Sequence, residues 1–236
     1  MKKKIQHYKL LNGLQACHGG SMTYKPGVWT KPIDNPEACV RGYHTCTASQ
    51  VMKWLSGVTA IYRCDTRRAI KSDDKYVSRS IRLGRKVMGE RELRHLACDF
   101  AAHVLHFYEE KQPNDFRVRN CIATAREYAD GRATLDDLNS AGAAAGAAAW
   151  AVAGAAARSA ARAAAGAAAG AAAGAAARSA AGAAARSAAW AVAGAAARDT
   201  AGAAETKWQQ NRLALYLAGG MPWIERPVKW TKGKRP

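Results

Sequence analysis

From Ala141 to Ala204 the chain repeats the four-residue unit A-x-A-A sixteen times without a break in register. The variable position is Gly in nine units, Arg in five (Arg158, Arg162, Arg178, Arg186, Arg198) and Trp in two (Trp150, Trp190). All but seven of the remaining 48 positions are alanine, so this segment holds no catalytic apparatus. A tract of this kind is a scaffold or a surface, and what it packs against or presents becomes the functional question.

Alanine is the best intrinsic helix former, but each glycine takes back about 1 kcal/mol, so the tract needs packing to be stable. In a straight α-helix, positions four apart drift by about 40°, and the Gly/Arg/Trp row winds round the whole helix in about nine units. No single amphipathic face results. Two arrangements answer this: close-packed antiparallel helices whose small residues let backbones approach, or a wider coil with nearly four residues per turn. A single helix of this length would extend about 96 Å with few apolar side chains to hold it, which favours the folded-back form. The duplicated A-W-A-V-A-G-A-A-A-R at 149–158 and 189–198 suits a paired arrangement, and equally a recent expansion of the repeat.

Composition changes sharply near Asn139, and five segments follow: a small α/β domain at 1–88, a helical connector at 89–140, the repeat at 141–204, a closing helix at 205–220 and a basic tail at 221–236. The expected fold class is α+β, a small mixed domain followed by an all-α, Ala/Gly-rich repetitive domain. Lys and Arg outnumber Asp and Glu by 36 to 18, a formal charge of +18, so polyanions are expected to bind at least weakly. No apolar run is long enough to span a bilayer, and Lys2, Lys3 and Lys4 are not followed by a secretory apolar core. The expected location is the bacterial cytoplasm, with the six cysteines mostly reduced.

In the first domain, Ile5 to Leu11 and Ala60 to Cys64 read as short strands. Tyr76 to Leu83 alternates, with Val77, Ile81 and Leu83 on one side. Thr47 and Gln50 form a capping-box pattern opening a helix through Val51, Trp54 and Leu55. Glycines and prolines make 19–38 a long irregular loop. Cys17, His18, Cys39, His44 and Cys46 have the chemistry of zinc ligands, but no C-x-x-C pair is present and no metal or cofactor is expected.

From Glu92 the period becomes helical. Leu93, Leu96, Phe100, Val104 and Phe107 define an apolar face, with Glu109, Glu110 and Lys111 towards water and Pro113 as terminator. Asp115 caps a second helix carrying Val118, Ile122, Ala125 and Ala129, closed by Gly131. Thr134 and Asp137 open a third that runs into the repeat. Cys98 and Cys121 read as core residues. His95, Asp99, His103 and His106 lack a second carboxylate or a cysteine to complete a metal set, and read as a solvated polar face. Trp208, Leu213, Tyr216 and Leu217 sit at helical spacing and close the helical core, whereas Trp223, Trp230, Lys229, Lys232, Lys234 and Arg235 suit stacking and phosphate contact with single-stranded nucleic acid, or a basic end that packs back.

Two resemblances rest on these motifs. C-H-G-G at Cys17, C-V-R-G-Y-H-T-C from Cys39 to Cys46, A-I-Y-R-C, and the strand D-D-K-Y-V-x-R-x-I-R-L resemble an uncharacterised domain at the start of phage and prophage proteins. More remotely, His18 and Gly42-Tyr43 before a late strand are similar to ADP-ribosyltransferases. That likeness implies His18 on a nicotinamide ribose and Tyr43 stacked on the nicotinamide. His18, Tyr43 and His44 are therefore the candidate ligand residues, but the late strand offers Asp73, Asp74 and Lys75 where the transferases have Glu, so a non-enzyme is expected.

Residues 91–217 resemble the alanine-rich immunity proteins of bacterial polymorphic toxin systems. The matching motifs are R-E-L-R-H-L-A-C-D-F-A-A-H-V-L from Arg91, I-A-T-A-R-E-Y-A-D-G ending at Gly131, T-L-D-D-L at 134–138, the repeat, and W-Q-Q-N-R-L-A-L-Y-L from Trp208. Here Gly dominates the fourth position of the repeat, where that family often carries Trp, Arg or Glu. The resemblance implies action by binding a protein partner, a toxin or a defence component, in an immunity-like or anti-defence role. Trp150, Arg158, Arg162, Arg178, Arg186, Trp190 and Arg198 are the candidate partner surface, with no membrane involvement and with self-association as a further option. The alternatives are a nucleic-acid-associated basic protein and a degenerate ADP-ribosyltransferase.

Overall fold

A computed structural model describes residues 5–17, 20–110, 112–151 and 198–220. Strands β1 (His7–Asn12), β2 (Gln15–Ala16), β3 (Tyr43–Thr45), β4 (Ala60–Lys71) and β5 (Tyr76–Met88) form an antiparallel sheet in the order β2-β1-β4-β5-β3. The helices are α1 (Ala48–Val51), continued by a 3-10 turn at Met52–Trp54, then α2 (Glu90–His103), α3 (His106–Glu109), α4 (Arg117–Ala129), α5 (Leu135–Ala151) and α6 (Arg198–Ala218). The architecture is mixed α+β. No helix among the described residues is long and apolar enough to cross a membrane.

Strand β4 runs to Lys71, well past the Ala60–Cys64 expected from alternation. Its outer half, Arg67 to Lys71, is exposed, so it carries no apolar rhythm, and backbone pairing to β5 as far as Lys71 opposite Tyr76 holds it. Asp73 and Asp74, expected in the strand, lie instead in the hairpin turn, where the Ser72 N–H donates to the Lys75 carbonyl at 2.9 Å. β5 buries Val77, Ile81 and Leu83 as its alternation predicts. The irregular segment before β3 is a strap along β5: the N–H groups of Gly27, Thr30 and Ile33 donate to the carbonyls of Leu83, Ile81 and Arg79 at 2.8–2.9 Å. Such cover protects a sheet edge that would otherwise present unpaired backbone groups.

Each face of the sheet has its own core. Leu11, Cys64, Ile81 and Leu83 meet Tyr24 and Tyr43 beneath the strap. On the other face Tyr8, Leu10, Ile61 and Met88 pack with Leu93, Leu96 and Phe100 of α2 and with Leu213, Tyr216 and Leu217 of α6. Trp208 joins this core from its edge, so the closing helix seals the sheet as well as its helical neighbours. A third cluster lies between α2, α4 and α5, where Ala97, Cys98 and Ala101 meet Cys121, Ile122, Ala125, Leu138 and Ala145. Helix α2 therefore serves two cores at once. Full burial of each large apolar side chain contributes about 1.5–3 kcal/mol, so apolar residues on two sides of α2 favour this central position.

Local signals fix the helix ends. At α1, Gln50 Oε1 accepts the Thr47 N–H at 2.9 Å. At α2, Glu92 accepts the Gly89 N–H at 2.7 Å. Asp115 accepts the Arg117 N–H at 3.0 Å from one position before the cap, which is Phe116. Gly131 takes φ +73° after α4, and Thr134 and Asp137 bond reciprocally ahead of α5. The apolar face read as one helix from Glu92 to Pro113 is interrupted at Val104, the C-cap of α2, before α3 begins.

Candidate functional site

The edge of β1 is shared by two partners that diverge. Near its end, Leu11 and Asn12 pair with β2; nearer its start, Tyr8 exchanges two backbone hydrogen bonds with Cys46, just beyond β3. Between them opens a cavity of about 450 Å³. His44 lines it, its Nε2 accepting the Cys39 N–H at 3.1 Å. Burial, then the nearby Lys9 and Lys75, hold the His44 pKa below the ordinary histidine value. Tyr43 points elsewhere: its ring is buried edge-on to Tyr24, and its hydroxyl donates to the Lys31 carbonyl at 2.8 Å, which ties the strap to β3. His18 lies outside the described residues. Lys9, Trp54 and Lys75 also line the cavity and were not legible as site residues, because strand pairing and the β4–β5 turn bring them there from three parts of the chain.

The second candidate region is the helical layer. Its organising group is the carboxylate of Asp99, which accepts from Arg126 Nη2 of α4 at 2.7 Å and from Arg212 Nε and the Tyr216 hydroxyl of α6 at 2.8 Å each. One turn earlier on α2, His95 bonds Asp130 at 2.9 Å, and Asp130 also receives Arg91 and Arg132. One turn later, His103 stands 2.7 Å from Glu205 and stacks on Trp208 at 3.7 Å. The face of α2 read as solvated is thus mostly enclosed: His95 and Asp99 are 0% and 4% exposed. The correction has a physical reason. Arginines from two other helices neutralise and hydrogen-bond the carboxylates, which permits burial that an unpaired charge would forbid.

Burial acts first on His95 and lowers its pKa, outweighing the pull of Asp130. For Asp130 burial alone would raise the pKa, but the hydrogen bonds from His95 and Arg91 prevail and the net shift is downward. Among the described residues, no group of three His, Cys, Asp or Glu side chains could hold a metal ion.

These contacts fix both flanks of the repeat on one body. Leu138 and Ala145 of α5 are buried against α4, and Glu205, Gln209, Leu213 and Tyr216 of α6 are buried along α2. Of the candidate partner residues, Trp150 falls within α5 and Arg198 opens α6. Arg158, Arg162, Arg178, Arg186 and Trp190 lie outside the described residues, as does the basic tail from Met221.

In comparison with protein families, the family described as "Imm-5 like putative immunity protein" matches residues 86–214. That span begins near the end of β5 and stops within α6, so it takes in most of the helical layer and the repeat, while Tyr216 lies just beyond it. Comparison with curated proteins and with solved structures finds no match.

Proposed function

The chain belongs to the Imm-5-like immunity protein family, and from that membership we propose that it acts by binding a protein partner, a toxin or a defence component, and not by catalysis. The observation that carries this reading is that the matched span holds Asp99, Arg126 and Arg212, the charged groups that organise the helical layer and bond one another. In this reading residues 89–220 form an all-α, repeat-bearing unit on the sheet, and the Arg and Trp side chains of the repeat face the partner. Arginine is used throughout the tract in place of lysine, and its planar fork suits carboxylates on a partner surface. The action belongs in the bacterial cytoplasm, where that toxin or defence component is met.

One observation favours a second reading, a nucleic-acid-associated role. The Trp29 ring carries two guanidinium groups, Arg67 at 3.9 Å from its centre and Arg82 at 5.2 Å, beside the exposed basic half of β4. One experiment separates the two. Tagged full-length protein is captured from bacterial lysate with and without nuclease, alongside a variant with Arg158, Arg162, Arg178, Arg186 and Arg198 changed to Gln. A single protein retained after nuclease and 0.5 M salt (on the order of three times physiological ionic strength), and lost in the variant, is the expected result. Recovery of nucleic acid alone, released by salt, overturns the immunity reading.

A further inference from the structure

The cavity at the split edge of β1 is not explained by partner binding through the helical layer. Its volume, about 450 Å³, falls in the range of small-molecule sites. Among the described residues its charge is one-sided: Lys9, Arg41 and Lys75 contribute cations, and no Asp or Glu lines it. Lys75 is paired with Asp74 at 3.4 Å, and Arg41 Nε donates to the Asn35 carbonyl at 2.8 Å.

Lys9 is the telling residue. Its side chain comes from the middle of a strand, is only 9% exposed, and donates to the His44 carbonyl at 2.9 Å. An ammonium has three N–H donors, and a neutral carbonyl does not balance its charge. Among the described residues no carboxylate pairs with it; its Nζ lies 5.1 Å from the centre of the Tyr24 ring, and the ionisable groups around it are His44, Tyr24 and the thiols of Cys17, Cys46 and Cys64. Burial pushes those three thiols up, which leaves them uncharged at neutral pH. Burial lowers the Lys9 pKa, and an anion that arrived with a ligand would reverse that shift and hold the ammonium form at the cavity wall. The remaining wall is apolar and aromatic, with Tyr8, Leu10, Val40 and Trp54.

We propose that this cavity binds a small organic anion, a carboxylate or phosphate carried on a flat apolar body, with Lys9 as the buried anchor and the Tyr8–Trp54 wall against the body. The selectivity is for charge sign and for the apolar group together. Inorganic phosphate would satisfy only the first requirement, and an aryl amine only the second.

Isothermal titration of the full-length protein with benzoate, phenyl phosphate, inorganic phosphate and benzylamine tests this. The expected result is binding of benzoate or phenyl phosphate, which also tells carboxylate from phosphate. Binding by inorganic phosphate should be at least about tenfold weaker and benzylamine should show none, and Lys9→Met should weaken the aryl anion by about tenfold or more, the loss of one charge-assisted hydrogen bond. A second measurement uses the wild type alone: the bound anion should slow alkylation of Cys17 and Cys39, which line the cavity. Absence of aryl-anion binding, equal binding of benzylamine, an unaltered Lys9→Met variant, or unprotected cysteines each overturns the proposal.

Discussion

Asp99 and Arg212 are separated by 113 positions in the chain and by 2.8 Å in space. This contact joins the helix before the repeat to the helix after it. Removing the carboxylate leaves Arg126 and Arg212 facing each other without an anion, and breaking one partner of a buried pair costs about 3–5 kcal/mol. Asp99→Ala should lower stability by about that amount in urea unfolding. Asp99→Leu combined with Arg126→Met and Arg212→Met should recover much of it. An unchanged midpoint in the single variant would show that the network does not hold α6.

Stability should fall on the acid side, in two stages. The folded-state pKa of His95 lies below its unfolded value, so the folded protein binds fewer protons there and loses stability as pH drops below about 6.5. Asp130, also lowered, contributes stability that is present above the ordinary carboxylate pKa and is lost as pH falls below about 4. Urea midpoints between pH 7.5 and 5 should slope less in His95→Gln, with His7 and His44, both lowered by burial, keeping a residual slope. An equal slope in the variant would exclude His95 as a source.

Cysteine reactivity should divide sharply. Burial pushes Cys46, Cys64, Cys98 and Cys121 up to about 12, so at pH 8 only on the order of one thiol in ten thousand is a thiolate. Cys39 is exposed and Cys17 half-buried. Iodoacetamide on the native protein should modify Cys39 first, and the four buried thiols only after urea, as peptide mass spectrometry would reveal. Early modification of Cys98 would contradict its place between α2 and α4.

Gly42 should tolerate no side chain. It takes φ +130°, and an added Cβ would lie 2.5 Å from Val77 Cγ2, whereas Gly27 at φ +78° has open space around it. Gly27→Ala should therefore cost only about 1–2 kcal/mol for its left-handed backbone. Gly42→Ala should cost more, by the clash, and Val77→Ala should relieve part of that difference. Equal melting shifts for the two glycines would remove the clash from the account.

What was readable in the sequence was local. Gly131 in its left-handed conformation, the Thr47/Gln50 and Thr134/Asp137 caps, and the burial of Cys98 and Cys121 all follow from residues within a few positions of one another. The lower half of the β4–β5 hairpin was legible by alternation; the exposed half was not, because pairing there depends on backbone alone. The polar face of α2 was misread because its partners arrive from 27 and 113 residues away. A signal did exist: His95/Asp99, Arg126/Asp130 and Arg212/Tyr216 are each polar pairs four apart, and residues at that spacing lie on one helical face. The cavity left no comparable trace, since Lys9 in isolation looks like any outward strand lysine.

The dual role of α6 also sets a timetable for synthesis. Leu213, Tyr216 and Leu217 complete a core that includes Tyr8 and Leu10 near the start of the chain. At about 5–20 residues per second, translating the 113 positions from Asp99 to Arg212 takes roughly 6–23 s. During that interval the apolar faces of β1 and α2 are made but unsealed, and any chain released within the repeat would carry them permanently open to neighbouring polypeptides.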